Sequence, residues 1–193
     1  MTTKTLYIKN MCCPRCLTVV RTEIEQLGIE IVCINLGEAK IRYNHRLVGL
    51  NQLHQALKKH DLIILESKEE ITVAKIKRLL YSLIQNNKEE DLPKQNSKFI
   101  SEQLGCNYSH LSRLFTKHEN ITIEKYLILL KIEKVKELLE YDEQSLSDIS
   151  KVLAYSSTQH LSRQFKLTTG ISISDYKKFL QARRICADNL RSG

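Results

Sequence analysis

The 193-residue sequence predicts two unlike halves, an α+β module over residues 1–68 and an all-α unit over 69–193. Three observations predict this. Up to Ser67, short β-rich runs alternate with helical stripes; beyond it the apolar spacing is helical throughout; and "HLSR" occurs at 110–113 and again at 160–163. Composition agrees. With 42% hydrophobic and 27% charged residues the chain reads as globular, and 2 Pro, 6 Gly and no Trp favour helices over a sandwich or barrel.

In the first half, "TLYIKN" (5–10) alternates like a strand and leads into the cysteine loop "MCCPRC". "CLTVVRTEIEQLG" (16–28) places Leu17, Val20, Ile24 and Leu27 on one helical stripe and ends on Gly28 as a C-cap. "IEIVCINL" (29–36) and "KIRYN" (40–44) form a candidate hairpin around "GEA". "LVGLNQLHQALKKH" (47–60) sets Leu50, Leu53, Ala56 and Leu57 on one face, and "LIILES" (62–67) closes the module. The order β-α-β-β-α-β is the split-βαβ, ferredoxin-like arrangement. The short link "SKEEI" (67–71) predicts close-coupled domains.

In the second half, "ITVAKIKRLLYSLIQ" (71–85) is an amphipathic helix, and the polar stretch 86–96, with Pro93, is a loop. Helices are expected at 98–105, 109–118, 122–140, 146–154, 158–167 and 173–184. Residues 101–115 are echoed by 150–165. In each copy a short helix meets a polar turn and a second amphipathic helix begins. Ile100, Leu104, Leu111, Leu114 and Phe115 supply the apolar contacts of the first copy; Ile149, Leu153, Leu161 and Phe165 supply those of the second. Gly105 and Ala154 sit at the turns, where a larger side chain is expected to obstruct the helix crossing. This is helix-turn-helix logic, in which the second helix offers its N-terminal polar residues to a major groove.

Net charge is +8 and uneven: residues 1–70 carry 10 basic and 8 acidic side chains, residues 71–193 carry 20 and 14. A basic second half suits a polyanion. The two units, joined by a long amphipathic helix at 123–141, resemble the paired DNA-binding units of the AraC/XylS family of bacterial transcription regulators, and 153–178 is similar to that family's C-terminal signature. The resemblance covers about residues 71–180, with Ala154 where the family usually has Gly and Ile173 where it usually has Pro. It implies an all-α tandem helix-turn-helix DNA-binding domain, with reading helices about one helical turn (~34 Å) apart along double-stranded DNA. Base-reading positions then fall on Ser109, Ser112 and Arg113 in the first helix and Gln159, His160 and Arg163 in the second. Arg suits guanine O6/N7 and Gln adenine N6/N7. Lys117, Lys166, Lys177 and Lys178 are expected on phosphates. His110 and His160 share one repeat position, but with no second His or Cys at i+3 or i+4 they do not read as metal ligands.

The cysteine loop contains M-x-C-x-x-C at Met11, Cys13 and Cys16, between the first strand and first helix. There it resembles the heavy-metal-associated domain of copper chaperones and transporter tails, a resemblance covering residues 4–67. It implies Cu(I) or Zn(II) held by Cys13 and Cys16, with Cys12 or His60 as a third ligand, Lys59 offsetting thiolate charge and Met11 packed inward. Asn10 replaces a frequent Gly, and Pro14 removes one N–H from the loop. Three readings stay open: metal sensing, a reversible Cys13–Cys16 disulfide, and a module that serves dimerisation. Cys33 and Cys106 are expected as buried small hydrophobes, and Cys186 has no evident partner.

No Gly-rich phosphate loop, nucleophile–base pair or carboxylate–His signature is present, so an enzyme is not expected. The chain reads as a regulator with double-stranded DNA as partner, a homodimer as candidate assembly and RNA polymerase as partner if it activates; a metal chaperone or buffer is the alternative. The opening "MTTKTLYIKN" lacks a signal-length apolar core and no apolar run suits a membrane span, so a cytoplasmic protein is expected.

Overall fold

The computed structural model describes residues 1–11, 14–44, 49–85, 96–141 and 144–191, without the side chains of Pro14 and 184–191. Cys12 and Cys13 lie outside the described residues, as does the side chain of Cys186. The chain divides into two compact units, Met1–Arg78 with Leu104–His118, and Leu79–Gln103 with Glu119–Gly193.

The first unit begins with β1 (Thr2–Lys9), α1 (Pro14–Gln26), β2 (Glu30–Asn35), β3 (Glu38–Tyr43), α2 (Leu50–Lys58) and β4 (Ile63–Ile64). The strands form one antiparallel sheet in the order β2-β3-β1-β4. Alternation in β1 turns Leu6 and Ile8 inward, where they pack with Ala39 and Ile41 of β3, Val20 and Ile24 of α1, and Leu53 and Leu57 of α2. α3 (Lys68–Gln85) starts in this unit and reaches the sheet through two side chains. Its Lys75 Nζ stands 5.2 Å from the centre of the Tyr7 ring, and its Arg78 pairs with Glu38 of β3.

Register corrects one expectation. A bulge between Ile31 and Cys33 breaks the β2–β3 ladder, so Val32 and Cys33 both face solvent. Cys33 is therefore exposed, not a buried small hydrophobe. Cys106 is also exposed, because it falls in a turn between helices.

The remaining elements are α4 (Asn96–Leu104), α5 (Tyr108–Glu119), α6 (Ile123–Tyr141), α7 (Leu146–Val152), α8 (Thr158–Thr169) and α9 (Ile173–Arg191). α5 belongs to the first unit. In the second, α8 packs on α6, α7 and α9. Phe165 and Leu161 of α8, Ile132 and Val135 of α6, and Ile149 of α7 are all fully buried. No helix among the described residues is long and apolar enough to cross a membrane.

The turn residues have a different reason from the one expected. A Cβ on Gly105 would meet nothing within 4 Å, and Ala154 is exposed, so crowding is not what selects small residues here. Both are left-handed instead, with φ of 63° at Gly105 and 49° at Ala154, a conformation that penalises a Cβ.

Candidate nucleic-acid interface

α5, the first helix expected to read bases, starts on a side-chain cap. Asn107 Oδ1 accepts the backbone N–H of Ser109 at 2.8 Å, satisfying one of the donors that a helix start leaves open. Leu111, Leu114 and Phe115 turn inward and fix the helix by burial. The opposite face carries Ser109, Ser112, Arg113, Thr116 and Lys117 at i, i+3, i+4, i+7 and i+8. With Tyr108 they line an open cleft of about 620 Å³. Ser109 and Arg113 are exposed, Ser112 is half-buried.

The second helix repeats this. Ser157 caps α8, its Oγ accepting the N–H of His160 at 3.1 Å. Leu161 and Phe165 are fully buried where Leu111 and Phe115 are in α5, so the 50-residue offset aligns Arg163 with Arg113 and Gln159 with Ser109. Gln159, His160, Arg163 and Lys166 are exposed. His160 is oriented by Ser156 Oγ, 3.0 Å from its Nδ1, and by the edge of the Tyr155 ring. The Gln159 carbonyl accepts from Thr158 Oγ1 at 3.3 Å. The alignment also separates the lysines: Lys166 corresponds to Thr116, and Lys117 corresponds to Leu167. Of the two other lysines expected on phosphates, Lys178 is exposed and Lys177 half-buried.

The repeat extends further than the sequence reading took it. Each of α5 and α8 is followed by a left-handed residue, Asn120 (φ 57°) or Gly170 (φ 82°). A hydroxyl cap follows, Thr122 Oγ1 accepting from Lys125 N–H and Ser172 Oγ from Asp175 N–H. Then a buried isoleucine opens the next helix, Ile123 or Ile173. Ile173 thus occupies the first helical position, where the proline it replaces would be preorganised.

Charge distribution separates the arginines into two kinds. Arg21, Arg42 and Arg78 are each paired with a glutamate. Arg113 and Arg163 have no carboxylate partner among the described residues, although both are exposed at matched positions. Lys117 differs from them: its Nζ meets Glu69 Oε2 at 2.8 Å, and His118 Nε2 meets the same oxygen at 3.0 Å. These bonds, the Lys117 one foremost, hold the Glu69 carboxyl down to about 2.

Two residues that support the second unit escaped the sequence reading. Lys131 of α6 is half-buried, and its Nζ donates to Leu153 O at 2.7 Å while standing 5.1 Å from the centre of the Tyr155 ring. Desolvation lowers its pKa from the usual lysine value. The Tyr155 hydroxyl is buried with no hydrogen-bond partner among the described residues, and burial pushes its pKa up to about 12. The signal for Lys131 was present: it lies four residues from both Leu127 and Val135, inside the buried stripe of α6.

At the cysteine loop, the described residues pin both flanks. Asn10 is left-handed (φ 67°), and its Nδ2 donates to Asp61 O at 3.0 Å, while Met11 is buried in the core of the sheet. Cys16 is half-buried with Sγ 3.8 Å from Asn10 O. His60 Nε2 lies 2.9 Å from Glu23 Oε1, two turns along α1 from Cys16, a rise of ~10 Å. Among the described residues, no group of three His, Cys, Asp or Glu could hold a metal ion.

Residues 100–178 match a family described as "Helix-turn-helix domain". The chain is 29% identical over 82 residues to the Msm operon regulatory protein of Streptococcus mutans, covering 42% of this chain and 30% of that protein. It is 33% identical over 78 residues to the raffinose operon transcriptional regulatory protein RafR of Pediococcus pentosaceus, covering 38% and 28%. The matched stretch thus spans less than a third of the length of these curated relatives. Among solved structures, an AraC-type transcriptional regulator from Chromobacterium violaceum superposes with a TM-score of 0.50 at 20% identity, covering 60% of this chain and 96% of that one.

Proposed function

We propose that this chain, whose residues 100–178 match a helix-turn-helix domain family, is a non-enzymatic transcription regulator of the AraC type that binds double-stranded DNA through α5 and α8. The observation that carries the reading is the matched pair Arg113 and Arg163, exposed and without a carboxylate partner among the described residues. A free guanidinium at the same place in both copies is suited to the O6/N7 edge of guanine. Gln159, His160, Ser109 and Ser112 are the further base-edge candidates, and Lys166 and Lys178 the phosphate candidates. A homodimer, RNA polymerase for an activator and a cytoplasmic setting belong to the same reading. The test is selection of bound duplexes from a random-sequence library, followed by gel-shift titration of Arg113→Ala and Arg163→Ala. Each substitution is expected to weaken the selected site by about 1–3 kcal/mol, roughly ten- to a hundredfold. Variants that bind as tightly and as selectively as wild type would remove the reading.

A second reading concerns the first unit, which we read as a ferredoxin-like, heavy-metal-associated module answering to Cu(I) or Zn(II) through Cys13 and Cys16. The anchoring of Asn10 to Asp61 O and of Met11 in the core, at the entry to the Met-x-Cys-x-x-Cys segment, supports it, because soft thiolates at that position suit Cu(I). Lys59 would offset the thiolate charge, and His60 would ligate through Nδ1, its Nε2 being held by Glu23. Titration with Cu(I) and Zn(II) of wild type and Cys13→Ser/Cys16→Ser tests it. Equal, weak binding by both proteins argues against metal response and leaves the reversible disulfide or a dimerisation role. Tight metal binding with DNA affinity unchanged would favour a chaperone or buffer.

A further inference from the structure

We propose that Glu69 acts as an intramolecular stand-in for a DNA phosphate: it occupies Lys117 and so sets how many phosphates the first reading helix contacts. The inference rests on the DNA-binding reading and refines its interface. The last turn of α5 carries two basic residues, Lys117 and His118, and both converge on one oxygen, Glu69 Oε2, at 2.8 and 3.0 Å. Glu69 sits in the first turn of α3, 48 residues away in sequence from Lys117. An anionic oxygen bonded to the last-turn cations of a reading helix is the chemistry a backbone phosphate would offer there.

Three features make the contact more than a surface ion pair. Lys117 shares a face with Arg113, four residues earlier, and both line the same cleft, so Glu69 withholds a cation from the reading surface. The second copy has no counterpart, since its equivalent position is Leu167, 72% exposed and uncharged. Glu69 also remains ionised across the physiological range, because its partners hold its pKa near the bottom of the carboxylate scale. The carboxylate is half exposed and the lysine more so, which leaves Nζ within reach of a phosphate once the carboxylate charge is gone.

The experiment is the salt dependence of binding to one 30-base-pair duplex, measured by fluorescence anisotropy on the full chain. Each phosphate neutralised contributes about 0.9 to the slope of log affinity against log salt. Glu69→Gln is expected to steepen the slope by about 0.9, so that its advantage over wild type shrinks roughly 3.5-fold between 50 and 200 mM salt. Lys117→Ala alone leaves the wild-type slope, and Glu69→Gln/Lys117→Ala returns to it. Glu70→Gln changes the net charge equally and leaves the slope unchanged, which separates a local contact from a global field. An unchanged slope in Glu69→Gln, or a slope shallower by about 0.9 in Lys117→Ala alone, overturns the proposal. Loss of helical circular dichroism in Glu69→Gln would show that the contact only props α5, and would also overturn it. Wild type that binds no duplex removes the DNA reading itself, a result distinct from any of these.

Discussion

The ammonium of Lys131 donates to the carbonyl of Leu153 at 2.7 Å, joining the middle of α6 to the turn that ends α7. A helix end leaves carbonyls without intrahelical partners, and here a lysine from another helix satisfies one of them while its stem fills the buried stripe. Lys131→Met keeps the stem and removes the donor. It is expected to lower stability by about 1.5–3 kcal/mol, the range for hydrogen bonds involving a charged group. The sign of the pH effect follows from the lowered pKa: between the folded value and 10.5 the unfolded chain holds the extra proton, so this residue's contribution improves as pH rises. Denaturant melts of wild type and Lys131→Met from pH 7 to 10 check both points.

Ala154 is a non-glycine residue in the left-handed region at a site where its side chain touches little. Ala154→Gly relieves a strain of about 1–2 kcal/mol and gives back part of it as unfolded-chain entropy. A net stabilisation of about 0.5–1 kcal/mol is expected, a rise in Tm of a few degrees. Gly105→Ala, the mirror substitution, is expected to lower Tm by a similar amount. Calorimetry of the two variants decides whether backbone conformation or crowding governs these turns.

Tyr155 presents the opposite case, a buried hydroxyl with no partner among the described residues. Tyr155→Phe removes a polar group that folding desolvates without return, so stability is expected to hold or rise by up to ~1 kcal/mol. Above pH 10 the unfolded tyrosine ionises while the folded one, pushed up to about 12, does not, so wild type loses stability through that window. The Phe variant is expected to lose less, which urea titrations at pH 9 and 11 would register.

The matched arginines allow a test finer than truncation. Lysine keeps the charge and loses the planar fork, so Arg113→Lys and Arg163→Lys separate base reading from phosphate contact. If the guanidinium reads guanine, each variant loses about 1–3 kcal/mol on the selected duplex and almost nothing on an unselected one. Equal weakening on both duplexes would assign the residue to the backbone.

Much of this was legible because burial follows period. Leu17, Val20 and Ile24, or Leu111, Leu114 and Phe115, combine three- and four-residue spacings that share a face on a helix but not on a strand, and the repeated "HLSR" aligns α5 with α8 from sequence alone. What stayed hidden depended on backbone geometry or on distance along the chain. The phase of β2 changes at a bulge that leaves no compositional mark, and with it Cys33 moves from core to solvent. Glu69 and Lys117 are 48 residues apart, and nothing local to either announces the other. The small residues at the turns were legible, but their cause was not: φ of 49° at Ala154 is a fact about the backbone that side-chain size only hints at. Lys131 could have been read, as a lone charge in an apolar stripe.

The bulge in β2 bears on the behaviour of the protein at high concentration. β2 is an outer strand of the sheet, and a regular outer strand is a template on which a strand from another molecule can grow. With Val32 and Cys33 both turned to solvent, side-chain alternation fails midway along it, and an incoming strand cannot keep register across the break. The irregularity thus works against open-ended stacking of this chain into fibres, and restoring regular alternation there by deleting Val32 would be a direct way to make it aggregate.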